Sequence, residues 1–344
     1  MQTRTLITIL LLSFLSPPLL AQDVLRILTW PGYADKDLIS AFEARNHVVV
    51  EVTYVGTDDE LRMKLADSSS KFDVIAANTS EIQLLTRQQL LLPLQLNRLS
   101  NRGRQLPRFR QLQNIPGLVT DGEAYGIPFT FSEMGLIYNR KLLATPPDSL
   151  NSLWDPRWKG QVLAYDGSNH SFSLARMALD KPPFAIPAAE LPGTIDKLVA
   201  LRRNVLTFYS LPEESVSLFT QNKVALLYAN YGRQQLKLLQ DAGADVGYVI
   251  PREGALAWLD CWAISRTTKN RNLAEKWINY TLEPQFSESF TARHGLANTL
   301  VQAAVDTPAA YKLIWLEPVE DEQLRNELWQ RIYEGDVPDS LVQP

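Results

Sequence analysis

The chain has 344 residues, a formal net charge of −4, one cysteine and three histidines. A single cysteine excludes an intramolecular disulfide, and scattered His47, His170 and His294 do not make the group of three or four close ligands that a zinc site needs. Lys and Arg are dispersed along the chain, unlike the basic footprint of a nucleic-acid binder, and the length suggests two domains.

Arg4, the apolar run Leu6 to Leu15, the Pro17-Pro18 break and Leu19-Leu20-Ala21 describe a secretory signal peptide. The run is short of the roughly 20 residues of a spanning helix. Cleavage is expected after Ala21, giving a soluble exported protein; an uncut N-terminal anchor is the alternative. No Cys follows the cut, so a lipid anchor there is not indicated.

Leu25 to Trp30 then reads as a strand ending at Pro31-Gly32, and Asp35 to Arg45 as a helix with Leu38, Ile39 and Phe42 on one face. Val48 to Tyr54 is a second strand, Asp58 to Ala66 a helix, and Phe72 to Ala77 a third strand. This β-α-β-α-β opening places strand ends near Trp30, Val55 and Asn78 on one edge, where open α/β sheets bind ligands. Tyr125 to Phe129 and Glu133 to Asn139 form a strand-like pair, followed by a Trp-rich turn from Asn151 to Gly160 and a strand from Gln161 to Tyr165. Helices are expected over Ser171 to Leu179, Leu191 to Arg202 and Arg233 to Ala242. Strands are expected near Leu206 to Tyr209, over Val224 to Ala229 and over Val246 to Ile250. Leu273 to Leu282 is an amphipathic helix. The charged helix from Glu320 to Tyr333 reads as a solvated face. The alternation predicts an α/β fold with largely parallel sheets and no internal repeat.

The most telling segment is Val249 to Asp260. In an extended strand, Trp258 and Asp260 point to one face. An indole beside a carboxylate receives an organic ammonium through the ring quadrupole and charge-assisted hydrogen bonds. The plainer reading is a buried Trp beside a surface Asp. Cys261, among Trp258, Leu259, Trp262 and Ile264, reads as a buried structural thiol rather than a nucleophile. Asp58-Asp59-Glu60 sits at a helix start, where acids support the N-terminus.

In order, Leu28-Thr29-Trp30-Pro31-Gly32-Tyr33, Phe72-Asp73-Val74, Tyr125-Gly126-Ile127-Pro128, Gly135 to Asn139, Trp154 to Gly160 and Trp258-Leu259-Asp260 resemble a periplasmic solute-binding protein. Within that group the chain is most similar to the spermidine/putrescine-binding branch. The resemblance implies two α/β lobes, each a mostly parallel sheet flanked by helices, closing like a hinge. Lobe one would be residues 22–131 plus 258–298, and lobe two 132–257 plus 299–344. Crossovers are expected near Thr130 to Glu133, Leu256 to Asp260 and Leu296 to Leu300.

The same resemblance carries ligand contacts to particular positions. Trp30 and Tyr33 match an aromatic pair that packs on a polyamine stem, Trp258 and Asp260 match the family's Trp and amine-binding Asp, and Tyr228 stands where a Trp is usual. Trp30 and Tyr33 remain open to a plain core reading, and Tyr231 is either a rim or a turn residue. Other positions depart from the pattern. The aromatic after the third strand is replaced around Asn78-Thr79-Ser80, and a Tyr near the third crossover is Leu296. Two acids of lobe two fall at Gly167 and His170, leaving Asp166 as the nearest carboxylate. A partly protonated His170 would repel an ammonium. Glu133 could supply the second acid, or be an exposed hinge residue. The expected ligand is therefore a cation with one firmly held ammonium, or a polyamine such as putrescine or spermidine in a shifted pose.

The implied role is a monomeric periplasmic subunit, without cofactor or metal, delivering its ligand to an inner-membrane ABC permease. A ligand sensor for a membrane signalling protein is the alternative. An exported hydrolase has less in its favour, because no Gly-x-Ser-x-Gly elbow is present and no nucleophile order stands out.

Overall fold

The computed structural model describes residues 22–67, 69, 71–301 and 313–336. The predicted signal peptide, residues 1–21, lies outside the described residues. The chain opens with β1 (Val24–Thr29), α1 (Lys36–Asn46), β2 (Val49–Tyr54), α2 (Asp58–Ala66), β3 (Val74–Asn78) and α3 (Thr79–Arg87). Next come β4 (Leu91–Leu92), α4 (Pro107–Arg110), the pair β5 (Val119–Thr120) and β6 (Glu123–Ala124), β7 (Ile127–Glu133) and β8 (Gly135–Asn139). A second run holds β9 (Val162–Tyr165), α5 (Ser168–Ala178), α6 (Leu191–Asn204), β10 (Thr207–Tyr209), α7 (Pro212–Gln221), β11 (Leu226–Ala229), α8 (Arg233–Asp241) and β12 (Val246–Val249). The chain continues through β13 (Ala255–Ser265), α9 (Arg271–Thr281), α10 (Pro284–His294), β14 (Ala297–Asn298), β15 (Leu313–Trp315) and α11 (Glu322–Glu334).

Among the described residues these elements build two large sheets and the two-stranded β5–β6 ribbon. The larger runs β14-β7-β13-β3-β1-β2, with β15 and β4 also on β13; the smaller runs β10-β9-β11-β8-β12. β1 pairs parallel with both β2 and β3, so the ends of all three strands share one edge. Burial explains the central place of β3: Val74, Ile75, Ala76 and Ala77 are all buried, as expected of a strand covered on both faces. Both sheets also contain antiparallel pairs, because the chain passes from sheet to sheet along strands rather than through helices. Only Met134 separates β7 of the larger sheet from β8 of the smaller one. β13 returns antiparallel between β3 and β7.

The cores follow the sheets. Phe131 and Leu259 belong to the core of the larger lobe, whereas Met134 and Leu256 belong to that of the smaller one. β13 and the continuous β7–Met134–β8 segment therefore thread both cores, and Trp258 packs against both from the junction. The C-terminal helix departs from its expected role. α11 buries Leu328, Trp329 and Ile332 and packs on α5 and α6, closing the smaller lobe's core. The high charge of its other face hid this stripe. Cys261 is fully buried, as its apolar neighbours predicted.

Candidate functional site

Asp260 stands near the middle of β13, opposite Asn78 at the carboxyl end of β3. Its carboxylate is only 7 % exposed and accepts a 2.6 Å hydrogen bond from the Tyr33 hydroxyl. Burial pushes its pKa up to about 7; the Tyr33 bond opposes that shift and the charge of Asp58 adds to it. Such a carboxylate takes up positive charge readily, because an arriving cation replaces its missing solvation.

Trp30 and Trp258 are half-buried at this edge. The Trp258 indole donates to the Asn230 carbonyl just beyond β11, at 3.1 Å, so it ties the larger sheet to the smaller one. Tyr33 differs from the expected aromatic wall. Its ring is buried edge-on among Phe129, Trp262 and Phe290, and only its hydroxyl reaches the site. It orients Asp260 rather than packing on a ligand stem.

Three other expected contacts are corrected. Tyr228 is buried in the smaller lobe's core with its hydroxyl on Met134 Sδ, because its strand is covered on both faces. Asp166 accepts from Trp329 Nε1 at 2.8 Å, which fastens it to α11. Glu133 is neither an exposed hinge residue nor an available acid: it is buried, with Oε1 2.9 Å from Arg233 Nε. His170 faces a cavity, yet burial lowers its pKa to about 4, so it is neutral near pH 7 and does not repel a cation.

That cavity, of about 280 Å3, is lined by Asn78, the residue opposite Asp260 in the β3–β13 pair, and not by Asp260 itself. Asp58, Asn78 and Glu81 line one side; Asn169, His170 and Glu322 line the other. Asn78 organises the first wall. Its side-chain oxygen caps α3 by accepting from the Glu81 backbone N–H at 3.0 Å, while its amide donates to both Asp58 oxygens at 3.2 Å. Glu81 is held by Arg62 at 2.5 Å, and Arg62 also pairs with Asp59 and lies 3.9 Å from Glu322 across the cavity. Burial holds Asp58 and Glu81 above the usual carboxylate range against the pull of Arg62; Glu322 and Asp59 add to the rise of Asp58, and Asp58 and Glu322 to that of Glu81. Across the junction, the charge of Asp58 also raises the Tyr165 phenol, after burial itself.

Asp58 and Glu81 were missed by the reading of motifs. Asp58 looked like ordinary helix-start chemistry, although it follows the end of β2 on the very edge where ligands bind. That position was the available signal.

Two sheets joined by strand crossovers, with acids and indoles gathered at the junction, define a two-lobed solute-binding protein. The family described as bacterial extracellular solute-binding protein matches residues 37–312, and the chain belongs to that family. It is 24% identical to spermidine/putrescine-binding periplasmic protein 1 of Haemophilus influenzae, over 93% of this chain and 86% of the relative. It is 25% identical to the putrescine-binding periplasmic protein PotF of Escherichia coli, covering 91% and 92% of the two chains. Its fold is similar to that of the spermidine/putrescine ABC transporter substrate-binding protein PotD from Streptococcus pneumoniae, with a TM-score of 0.75 and 20% identity over 94% of this chain and 100% of that one.

Proposed function

We propose that the protein is a periplasmic binding protein for a polyamine or related organic cation, which it delivers to an ABC importer without catalysing a reaction. The observation that carries this reading is the buried Asp260 carboxylate, held by Tyr33 beside Trp258 at the junction of the lobes. The names of the two relatives support the ligand class. Export is taken to run through a cleavable signal peptide at residues 1–21, and the protein to act as a monomer.

We take lobe one as residues 22–131 plus 258–298 and lobe two as 132–257 plus 299–344, hinged where β13 and the β7–Met134–β8 segment thread both cores. The membership of β1 to β3 and of β8 to β12 supports this division, while β15 joins the larger sheet. Ligand binding stabilises the closed form, which the membrane partner reads.

Isothermal titration calorimetry with putrescine, spermidine, agmatine and a monoamine tests the reading. Binding of at least one amine is expected, with a loss of 100-fold or more in Asp260→Asn. Absence of binding to every amine, or equal affinity in the variant, would sink it.

A further inference from the structure

We propose that the cavity lined by Asn78, the strand neighbour of Asp260, is a second cation subsite, in which Asp58 and Glu81 receive the far ammonium of a ligand whose near ammonium sits on Asp260. This rests on the reading of Asp260 given above. The positions where the resemblance led us to expect lobe-two acids are Gly167 and His170, and the structure puts carboxylates on the facing wall instead.

Unused hydrogen-bonding capacity is the main argument. The Glu81 side chain is 8% exposed; Arg62 occupies Oε1, whereas Oε2 is buried with no hydrogen-bond partner. Asn169 Oδ1, on the opposite wall, is likewise a buried acceptor without a donor. Among the described residues Asp58 receives only the shared Asn78 amide at 3.2 Å, longer than the 2.7–2.9 Å typical of a charge-assisted N–H bond to a carboxylate. What these buried acceptors lack is a donor; Arg87 also lines the cavity, but it is exposed. An ammonium brings three donors, a positive charge and no acceptor, so it answers all of these deficits at once.

Charge points the same way. Arg62 is shared among Asp59, Glu81 and Glu322, which leaves this group of side chains with an excess of negative charge. The lining also holds Arg87 and Glu317, one charge of each sign, and neutral His170 adds none. A metal ion fits less well, because among the described residues no three His, Cys, Asp or Glu side chains are grouped to hold one. Asn78 pairs with Asp260 through the backbone and with Asp58 through its side chain, so both subsites lie at the end of β3. The ligand class is a linear alkyl chain with two or more ammonium groups.

Calorimetry with putrescine and butylamine, which share a four-carbon chain, tests this directly. The wild type should favour putrescine by tenfold or more. Glu81→Gln and Asp58→Asn should each bring the putrescine-to-butylamine affinity ratio close to one, and Asp260→Asn should weaken both ligands. Circular dichroism identifies variants that fold. Should Glu81→Gln fail to do so through loss of its Arg62 pair, Asp58→Asn carries the test. If both ligands bind the wild type and the ratio survives in a folded variant, the second subsite is wrong while the Asp260 reading stands. Binding of neither ligand by the wild type overturns both. Displacement of putrescine by micromolar calcium would also overturn the subsite, since it would make the cavity a metal site.

Discussion

Burial lifts the Asp260 carboxyl to about 7, and the Tyr33 hydroxyl is the neighbour that restrains the shift. Because the folded-state value lies above the unfolded one near 4, the folded protein holds this proton more tightly between those values. The resulting contribution to stability is fully present below about pH 4 and is lost as pH rises through 7. Asp58 and Glu81 shift in the same direction. At pH 8 the unliganded protein therefore carries a buried charge that an amide would not. Asp260→Asn is expected to stabilise the unliganded protein at pH 8 by on the order of 1–3 kcal/mol, with little effect at pH 4. Scanning calorimetry at the two pH values checks this, and equal changes at both would contradict it. A site that is destabilising until its ligand arrives is the usual stability–function trade-off.

At the scale of elements, the site depends on strand ends and the turns that follow them. The sequence pattern made β1, β2 and β3 legible, because their apolar runs are short and separated by helices of 3.6-residue periodicity. It also made Trp258 and Asp260 legible, since two residues along one strand face the same way. Tyr228 is placed differently from expectation for the converse reason: residue type says that a ring can meet a cation, but not that both faces of its strand are covered. The roles of Asp166 and Glu133 depend on Trp329 and Arg233, partners 163 and 100 residues away, which local spacing does not disclose. Gly232, before α8, shows how tight the junction is. Its φ is +49°, and a Cβ there would collide with Ser132 Oγ and the Glu133 carbonyl at the end of β7. Gly232→Ala is expected to destabilise the protein by ~1–3 kcal/mol, through the strained backbone and the displaced crossover. Chemical denaturation measures it, and a change below about 0.5 kcal/mol, the size of an ordinary surface substitution, would contradict the account.

For the whole molecule, two lobes joined by β13 and by the β7–Met134–β8 segment make a body in which small changes at the junction alter how the lobes meet. Trp258 belongs to that junction: it packs on both cores and bonds to the Asn230 backbone, so a ligand against it touches both lobes. The central claim is that this junction holds an ammonium group on Asp260. A crystal structure of the protein grown with putrescine tests it most directly. The account predicts one ligand nitrogen within about 3 Å of an Asp260 carboxylate oxygen, as a charge-assisted hydrogen bond requires, with the alkyl stem against Trp258. A ligand bound in the cleft with no nitrogen near Asp260 would contradict it.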